Sequence, residues 1–390
     1  FKYVSTISEI VFNDGLHAIG DYAFDYCENL AHITIGNSVT GIGDAAFEYC
    51  SSLKYVELPN SITFLGIGTF YECTSLEYVE LPDHLESIGQ DAFSGCSSIK
   101  TINIPESVRT IGNRAFEGCT SLESITLPDA ELGDGLFNGC SSLNSIDHAG
   151  SESLVYDEQG LVFLGSEIVS CLMLVEDVVI PEHVTSIGPL AFMKCDRLES
   201  VVFRNGTETI GDNAFYLCTS LKSVILPDSL ISIGDFAFSD CKSLASITIP
   251  EGVTEIGSNA FNCCENLRTV TLSDSVKTIG PNVFEKCKSL VSITIPAGVR
   301  KIKASAFCYC ENLETVNICS GLEEIGWGVF NSCPNLRYSI WENGKYLGND
   351  DNPYYAFISC VDNKVEKLSI HADTRVMAEL DGWRLYISTL

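Results

Sequence analysis

The apolar positions of this chain fall on a fixed grid. Phe stands at 24, 47, 70, 93, 116, 137, 192, 215, 238, 261, 284, 307 and 330, in steps of 23 except 21 before Phe137 and 55 before Phe192. Cys follows each of these Phe by three residues. Gly precedes each by four, except where Lys303 takes its place. The unit reads L-x-x-I-x-I/L-P-x-x-V-x-x-I-G-x-x-A-F-x-x-C-x-x-L, cleanly displayed by residues 221–244, LKSVILPDSLISIGDFAFSDCKSL. Phe1 lies on the same grid, one step before Phe24. Self-similarity at such a period identifies a solenoid, in which each repeat buries its apolar face only against its neighbours.

Each position of the unit predicts local structure. In Val224-Ile225-Leu226 the flanking residues face one way and the middle one the other, as in a short strand. Stacked coil on coil, such strands form a parallel sheet, and the Pro that follows ends the pairing. The Gly before x-x-A-F predicts a left-handed turn, so Lys303 there would cost roughly 1 kcal/mol. Phe, Cys and Leu at i, i+3 and i+6 predict a short helical or 3₁₀ turn, which makes the expected fold class α/β.

A 23-residue unit built on L-x-x-I-x-L resembles the leucine-rich repeats. The added I-G-x-x-A-F-x-x-C-x-x-L-x-x-I-x-I-P is similar to the BspA-like subgroup of bacterial surface leucine-rich-repeat proteins. The resemblance spans nearly the whole chain and recurs 13 times. It implies a right-handed solenoid curved into a horseshoe, with a parallel concave sheet, on secreted or surface-attached adhesion proteins, and it carries over no catalytic residue. A straighter parallel β-helix is the other fold with coils near this length. A bulky turn opposite a thin strand favours curvature.

The interruptions are as regular as the repeat. The 55-residue step equals two periods plus nine, with the surplus within 146–178. Residues 154–174, LVYDEQGLVFLGSEIVSCLML, alternate around Glu158-Gln159-Gly160 and predict a hairpin-like insertion at about 150–176. A divergent insertion and cap is expected at about 342–390, with Leu380-Asp381-Gly382-Trp383 replacing the usual turn. Counting strands from Ile10 to Ile370 gives about 16 coils in a single solenoid over 1–390, with a sheet ~75 Å long. Phe1 reads as a coil cut in the middle, as in a trimmed or mature chain.

Charge narrows the function. Fifty-two acidic residues against 23 basic ones leave −29, spread along the chain, with a pI near 4.4. Such a polyanion is excluded from nucleic acid, whose recognition depends on neutralising phosphates, and is ill-suited to anionic membranes. The longest clearly apolar segment, 168–175, falls far short of the roughly 20 residues of a membrane span. The location that the resemblance implies, secreted or cell surface, is the one expected.

Candidate chemistry is sparse. Disulfides need converging Cβ atoms about 3.5–4.5 Å apart, whereas equivalent side chains on stacked coils run parallel at roughly 4.8 Å. No C-x-x-C pair exists, and no His accompanies the nearest approaches, Cys263-Cys264 and Cys308-Tyr309-Cys310, so the repeat cysteines read as buried thiols packing as small hydrophobes. The six His (17, 32, 84, 148, 183 and 371) show no paired spacing, and Gly41-Ile42-Gly43 and Gly66-Ile67-Gly68 lack the G-K-[ST] of a phosphate loop. No catalytic residue, metal ligand or cofactor is expected.

What remains is surface. The outward strand columns are mostly Ser and Thr, as in Ser246, Thr248, Thr269 and Thr271, with one apolar stripe at Val179, Val202 and Ile225 that the insertion is expected to cover. The departure is His32, Tyr55 and Tyr78 stacked beside Glu57 and Glu80, a candidate recognition patch. The expected function is non-enzymatic adhesion or protein binding through the concave face. The alternatives are a carbohydrate-binding module using Tyr55 and Tyr78, or a structural spacer. The expected partner is a protein or surface glycoconjugate, of host matrix or another cell, bound by a monomer.

Overall fold

The computed structural model describes residues 1–148, 154–172, 175–318 and 322–336, and the backbone alone of strands at 338–342, 356–361, 364–370, 379–380 and 383–384. The chain forms two compact units, Phe1–Val175 with Gly188–Cys195, and Glu176–Ile187 with Asp196–Leu390. Both are built from the same coil. Each coil contributes a long strand, a short two-residue strand and a turn bearing the F-x-x-C segment. In the first unit the long strands include Glu9–Phe12, His32–Ile35, Tyr55–Glu57 and Tyr78–Glu80, hydrogen-bonded in that order, and the short ones run from Ala18–Ile19 to Glu131–Leu132. The second unit repeats the plan from Asp177–Ile180 and Ser186–Ile187 onward.

All pairing between coils is parallel and shifted by one repeat, for example Ser246↔Thr269, Ile247↔Val270 and Thr248↔Thr271. Alternation then buries Ile247 and leaves Ser246 and Thr248 outside. Inside, the Phe rings stack face to face. From Phe1 to Phe137 their centroids lie 5.5–6.1 Å apart, and from Phe215 to Phe330 they lie 5.0–5.6 Å apart. The cysteines occupy the same interior. The Sγ of Cys50, Cys73, Cys241 and Cys264 each donates to the carbonyl of the Phe 26 residues earlier, at 3.1–3.3 Å. Cys is thus both a small apolar filler and the donor that satisfies a buried carbonyl.

The described residues contain no helix, and the expected helical or 3₁₀ turn is corrected. At F-x-x-C the amides of Gly68, Phe70 and Glu72 donate to Gln90, Ala92 and Ser94 of the next coil at 2.7–2.8 Å, so the i→i−3 bonds of Tyr71 and Cys73 that alternate with them close isolated turns and no continuous helix. The backbone does this by taking positive φ two residues before and two residues after each ladder Phe, as at Ala45 and Tyr49 (53° and 56°) or Phe236 and Asp240 (55° and 59°). All 21 non-glycine residues with positive φ occupy these two positions. The fold is accordingly a parallel β-solenoid, not α/β.

The glycine expectation is also corrected. None of the Gly four residues before Phe has positive φ; at most of them the coils approach too closely for a Cβ, although one on Gly20 would meet nothing within 4 Å and Lys303 is accommodated in this column. A Cβ on Gly66 would lie 2.7 Å from the carbonyl carbon of Gly43, and one on Gly257 2.5 Å from that of Gly234. Lys303 therefore carries no left-handed strain; its amide donates to Ile279 O at 2.9 Å like its glycine counterparts.

The described residues hold 13 two-residue strands in the parallel coil pattern, hence about 13 coils and not 16. The difference lies in the insertions. Leu154–Tyr156, Leu161–Leu164 and Glu167–Cys171 form an antiparallel meander, so the expected hairpin is present with a further strand. Asp157 makes its first turn, accepting the Gln159 and Leu161 amides on Oδ1 at 2.9 and 3.0 Å. Ala356–Val361 and Lys364–Ile370 likewise pair antiparallel, outside the coil pattern. Most of the expected cap, including Asp381-Gly382, lies outside the described residues. In the second unit, Val179 and Ile225 of the apolar stripe are 39% and 59% exposed.

Two outcomes follow. Phe238→Ala removes a fully buried stacked ring and should lower stability by ~3–5 kcal/mol in urea unfolding; a loss below 1 kcal/mol would mean that the ladder is not core. The 16 described cysteines are reduced thiols; Cys319 and the side chain of Cys360 lie outside the described residues, and denatured protein should titrate close to 18 thiols. Burial pushes Cys50 and Cys119 up to about 12 from 9.0. A raised folded value favours the thiol, so its stabilisation is complete below pH 9 and declines as pH rises toward 12, by about 1.4 kcal/mol per pH unit per thiol. The urea midpoint should fall steeply over that window, and a flat profile would contradict thiol burial.

Candidate functional site

Strand alternation places the five sequence-predicted residues on the outer face of the long strands. His32, Tyr55, Glu57, Tyr78 and Glu80 are all exposed, while Ile33, Val56 and Val79 between them are buried. Register makes them neighbours: His32 pairs with Tyr55, Tyr55 with Tyr78, and Glu57 with Glu80. The two Tyr rings stack at 5.5 Å and 6°, with their inner faces turned on one another. Partial burial, then the charges of Glu57 and Glu80, push the Tyr55 phenol up.

Of the five, Tyr78 and Glu80 line a groove. A shallow groove of about 340 Å³ runs from them across Asp83, Thr101, Asn103 and Thr126. It opens where one hydrogen-bonded sheet ends at Tyr78–Glu80 and another starts at Thr101–Asn103. The groove is therefore displaced from the predicted patch by about one coil, with His32, Tyr55 and Glu57 on its approach.

Sequence reading missed a second groove, of about 440 Å³, on the turn side of the first unit. Its walls include Tyr22, Tyr49 and Tyr71, and its far end is Asp91, Arg114 and Glu117. Tyr26 and Tyr49 stack at 4.3 Å, and Tyr71 meets Tyr49 edge-on at 5.4 Å. Arg114 grips both oxygens of Asp91 at 2.9 and 2.8 Å and reaches Glu117 Oε2 at 3.7 Å; Lys194 takes Glu117 Oε1 at 2.9 Å. Lys194 arrives from the other side of the insertion. There Asn138, almost fully buried, donates to Leu190 O at 2.6 Å and accepts from Ser170 Oγ at 2.7 Å. The sequence did carry a signal, since these side chains fill the columns around the ladder Phe, but with that segment read as a helical turn the columns could not be aligned. Among the described residues no three His, Cys, Asp or Glu come together as a metal site.

The comparisons with known proteins agree with this geometry. The BspA type leucine rich repeat region model matches in six copies, over residues 1–103, 65–159, 164–227 and 208–337, and the chain belongs to that family. It is similar to a leucine-rich repeat protein of Bacteroides ovatus, at 31% identity over 86% of this chain and 90% of that one (TM-score 0.49). A leucine rich cell surface protein of Faecalibacterium prausnitzii matches at 28% identity over 81% and 82% (TM-score 0.56). A leucine-rich repeat protein of Eubacterium ventriosum shares the fold at 22% identity over 84% and 82% (TM-score 0.64). No curated protein matches. No helix among the described residues is long and apolar enough to cross a membrane.

Removing the Arg114 fork tests the second groove's framework. The Asp91 and Glu117 side chains are 14% and 10% exposed, so Arg114→Leu should strip Asp91 of its ion pair, leave Glu117 with Lys194 alone and cost ~3 kcal/mol in thermal or urea unfolding. An unchanged midpoint would show that the ion pairs form only at the surface.

Proposed function

We propose that this chain is a non-enzymatic, surface-displayed repeat protein that binds a protein partner through its long-strand face. The observation that carries the reading is the stacked Tyr55 and Tyr78 pair beside Glu57 and Glu80, on a face otherwise lined by Ser and Thr and opening on a groove. Tyr covers contact area with a rigid amphipathic ring at small entropic cost. Like charges directly opposite on neighbouring strands destabilise a sheet, so the Glu57–Glu80 pair holds repulsion that a cationic partner group relieves. A basic or mixed-charge segment therefore suits the patch better than a polyanion. The overall charge of −29 speeds the approach of such a partner at low salt. Repetition of the strand face supplies many weak contacts to a rigid surface, and avidity comes from their number.

A sugar fits the patch less well. Stacking a pyranose needs a free ring face, and the facing sides of Tyr55 and Tyr78 are occupied by each other. A pure spacer has no use for exposed rings clustered outside the core. The cell-surface description of the F. prausnitzii relative supports the proposed location.

The test is a pull-down from host-matrix and bacterial-surface extracts, followed by affinity measurement with the captured protein. Tyr55→Ala with Tyr78→Ala should weaken binding by ~2 kcal/mol or more while leaving the unfolding midpoint nearly unchanged. Affinity should also fall as salt rises. Normal binding by the double mutant, with loss on substitution in the 154–172 meander, would transfer recognition to the insertion.

A further inference from the structure

The turn-side groove of the first unit has a chemistry that the long-strand patch does not explain. Four carboxylates line it, at Asp44, Glu48, Asp91 and Glu117, against two cations, Arg114 and Lys194. Both cations are engaged, Arg114 by Asp91 and Lys194 by Glu117. Asp44 is partly used, its Oδ1 accepting the Ile67 amide at 2.7 Å. Glu48 has no ion-pair partner among the described residues, and burial, followed by the charge of Asp25, pushes its carboxyl up. Beside these stand the rings of Tyr22, Tyr49 and Tyr71. The groove thus has surplus negative charge, aromatic walls and two cations already paired with Asp91 and Glu117.

A lysine held by a carboxylate and two rings lies at the N-terminal coil, where the ring columns of Tyr3 and Tyr22 continue as Tyr26 and Ala45 one coil on. Lys2 Nζ lies 4.9 and 5.0 Å from the ring centroids of Tyr3 and Tyr22 and 2.6 Å from Asp25 Oδ2. Lys2 stands one residue after Phe1, and the next residues in that column are Asp25, Glu48 and Tyr71, so the lysine is not repeated. We propose that the turn-side groove seats a lysine side chain of a partner protein, with its ammonium at Glu48 and its alkyl chain along Tyr49 and Tyr71. A cation over an aromatic face is attracted by the ring quadrupole, and a neighbouring carboxylate adds direct charge pairing. An anionic ligand is disfavoured because Arg114 and Lys194 are already neutralised. This site is separate from the Tyr55–Tyr78 patch and does not depend on it.

The test uses a fluorescein-labelled hexalysine peptide followed by anisotropy at low salt. The background is the full chain carrying Tyr55→Ala, Glu57→Gln, Tyr78→Ala and Glu80→Gln, so that the long-strand patch contributes nothing. Adding Glu48→Gln with Tyr71→Leu should raise Kd at least fivefold. A matched pair elsewhere, Tyr309→Leu with Glu311→Gln, removes one ring and one charge and should change Kd less than twofold. Glu48→Gln alone, which preserves every ring, should still raise it at least twofold if Tyr71→Leu perturbs folding. Equal losses from both pairs would reduce the binding to attraction by the overall negative field and overturn the proposal. Displacement of the peptide by cellohexaose would overturn it in favour of a sugar site.

Discussion

Every level of this structure depends on one constraint: each coil must present its backbone to the next at a translation of about one strand spacing, on all sides at once. The long and short strands meet it by ordinary parallel pairing. The turn meets it with three outward amides per coil, which it can aim only by giving up helical geometry. Once the backbone repeats at this distance, side chains at equivalent positions must stack on copies of themselves. A planar ring does this well at 5–6 Å. A thiol fits beneath it and donates to the carbonyl of the neighbouring coil, while Gly is needed where backbone meets backbone. Phe, Cys and Gly are thus three responses to a single translation.

This constraint explains which parts of the fold were legible beforehand. Strand positions, the buried Phe and Cys columns and the meander at 154–171 follow from periodicity, because alternation and stacking each leave a mark on residue type. The turn was misread because Phe, Cys and Leu at three-residue spacing look the same in a helical turn and in a left-handed-flanked one. Apolar spacing reports which residues face inward, and it does not report where their amides point. The recurrent Gly was assigned to a φ requirement, whereas at most of its positions the close approach of the coils is what favours it. The positions that do take positive φ carry residues such as Tyr49, Leu217 and Lys286, which gave no warning.

The candidate sites divide in the same way. The Tyr55–Tyr78 stack was readable because both rings lie on strands whose register follows from the repeat. The neighbouring groove was less so, since it arises where the hydrogen-bonded sheet is interrupted after Tyr78–Glu80. The turn-side groove needed the insertion as well as the turn, because Lys194 reaches Glu117 across 77 residues of sequence. Both surfaces have the same electrostatic character: carboxylates beside tyrosine rings on a strongly acidic protein.

The paired left-handed positions also act as a filter on what a repeat can become. Across the coils they hold Tyr, Ala, Glu, Asp, Arg, Leu, Lys, Asn, Phe, Cys, Ser and Gly, but no Val, Ile, Thr or Pro. A branched Cβ clashes at that φ, and a pyrrolidine ring cannot reach it. When such a coil is duplicated, these columns can drift through most of the amino-acid alphabet without disturbing the stack, provided that branching is avoided. Because they flank the buried ring and project outward, diversity accumulates on the turn side as long, unbranched, often charged or aromatic chains. A family that grows by copying this coil thereby acquires a variable surface whose vocabulary is set by one torsion angle.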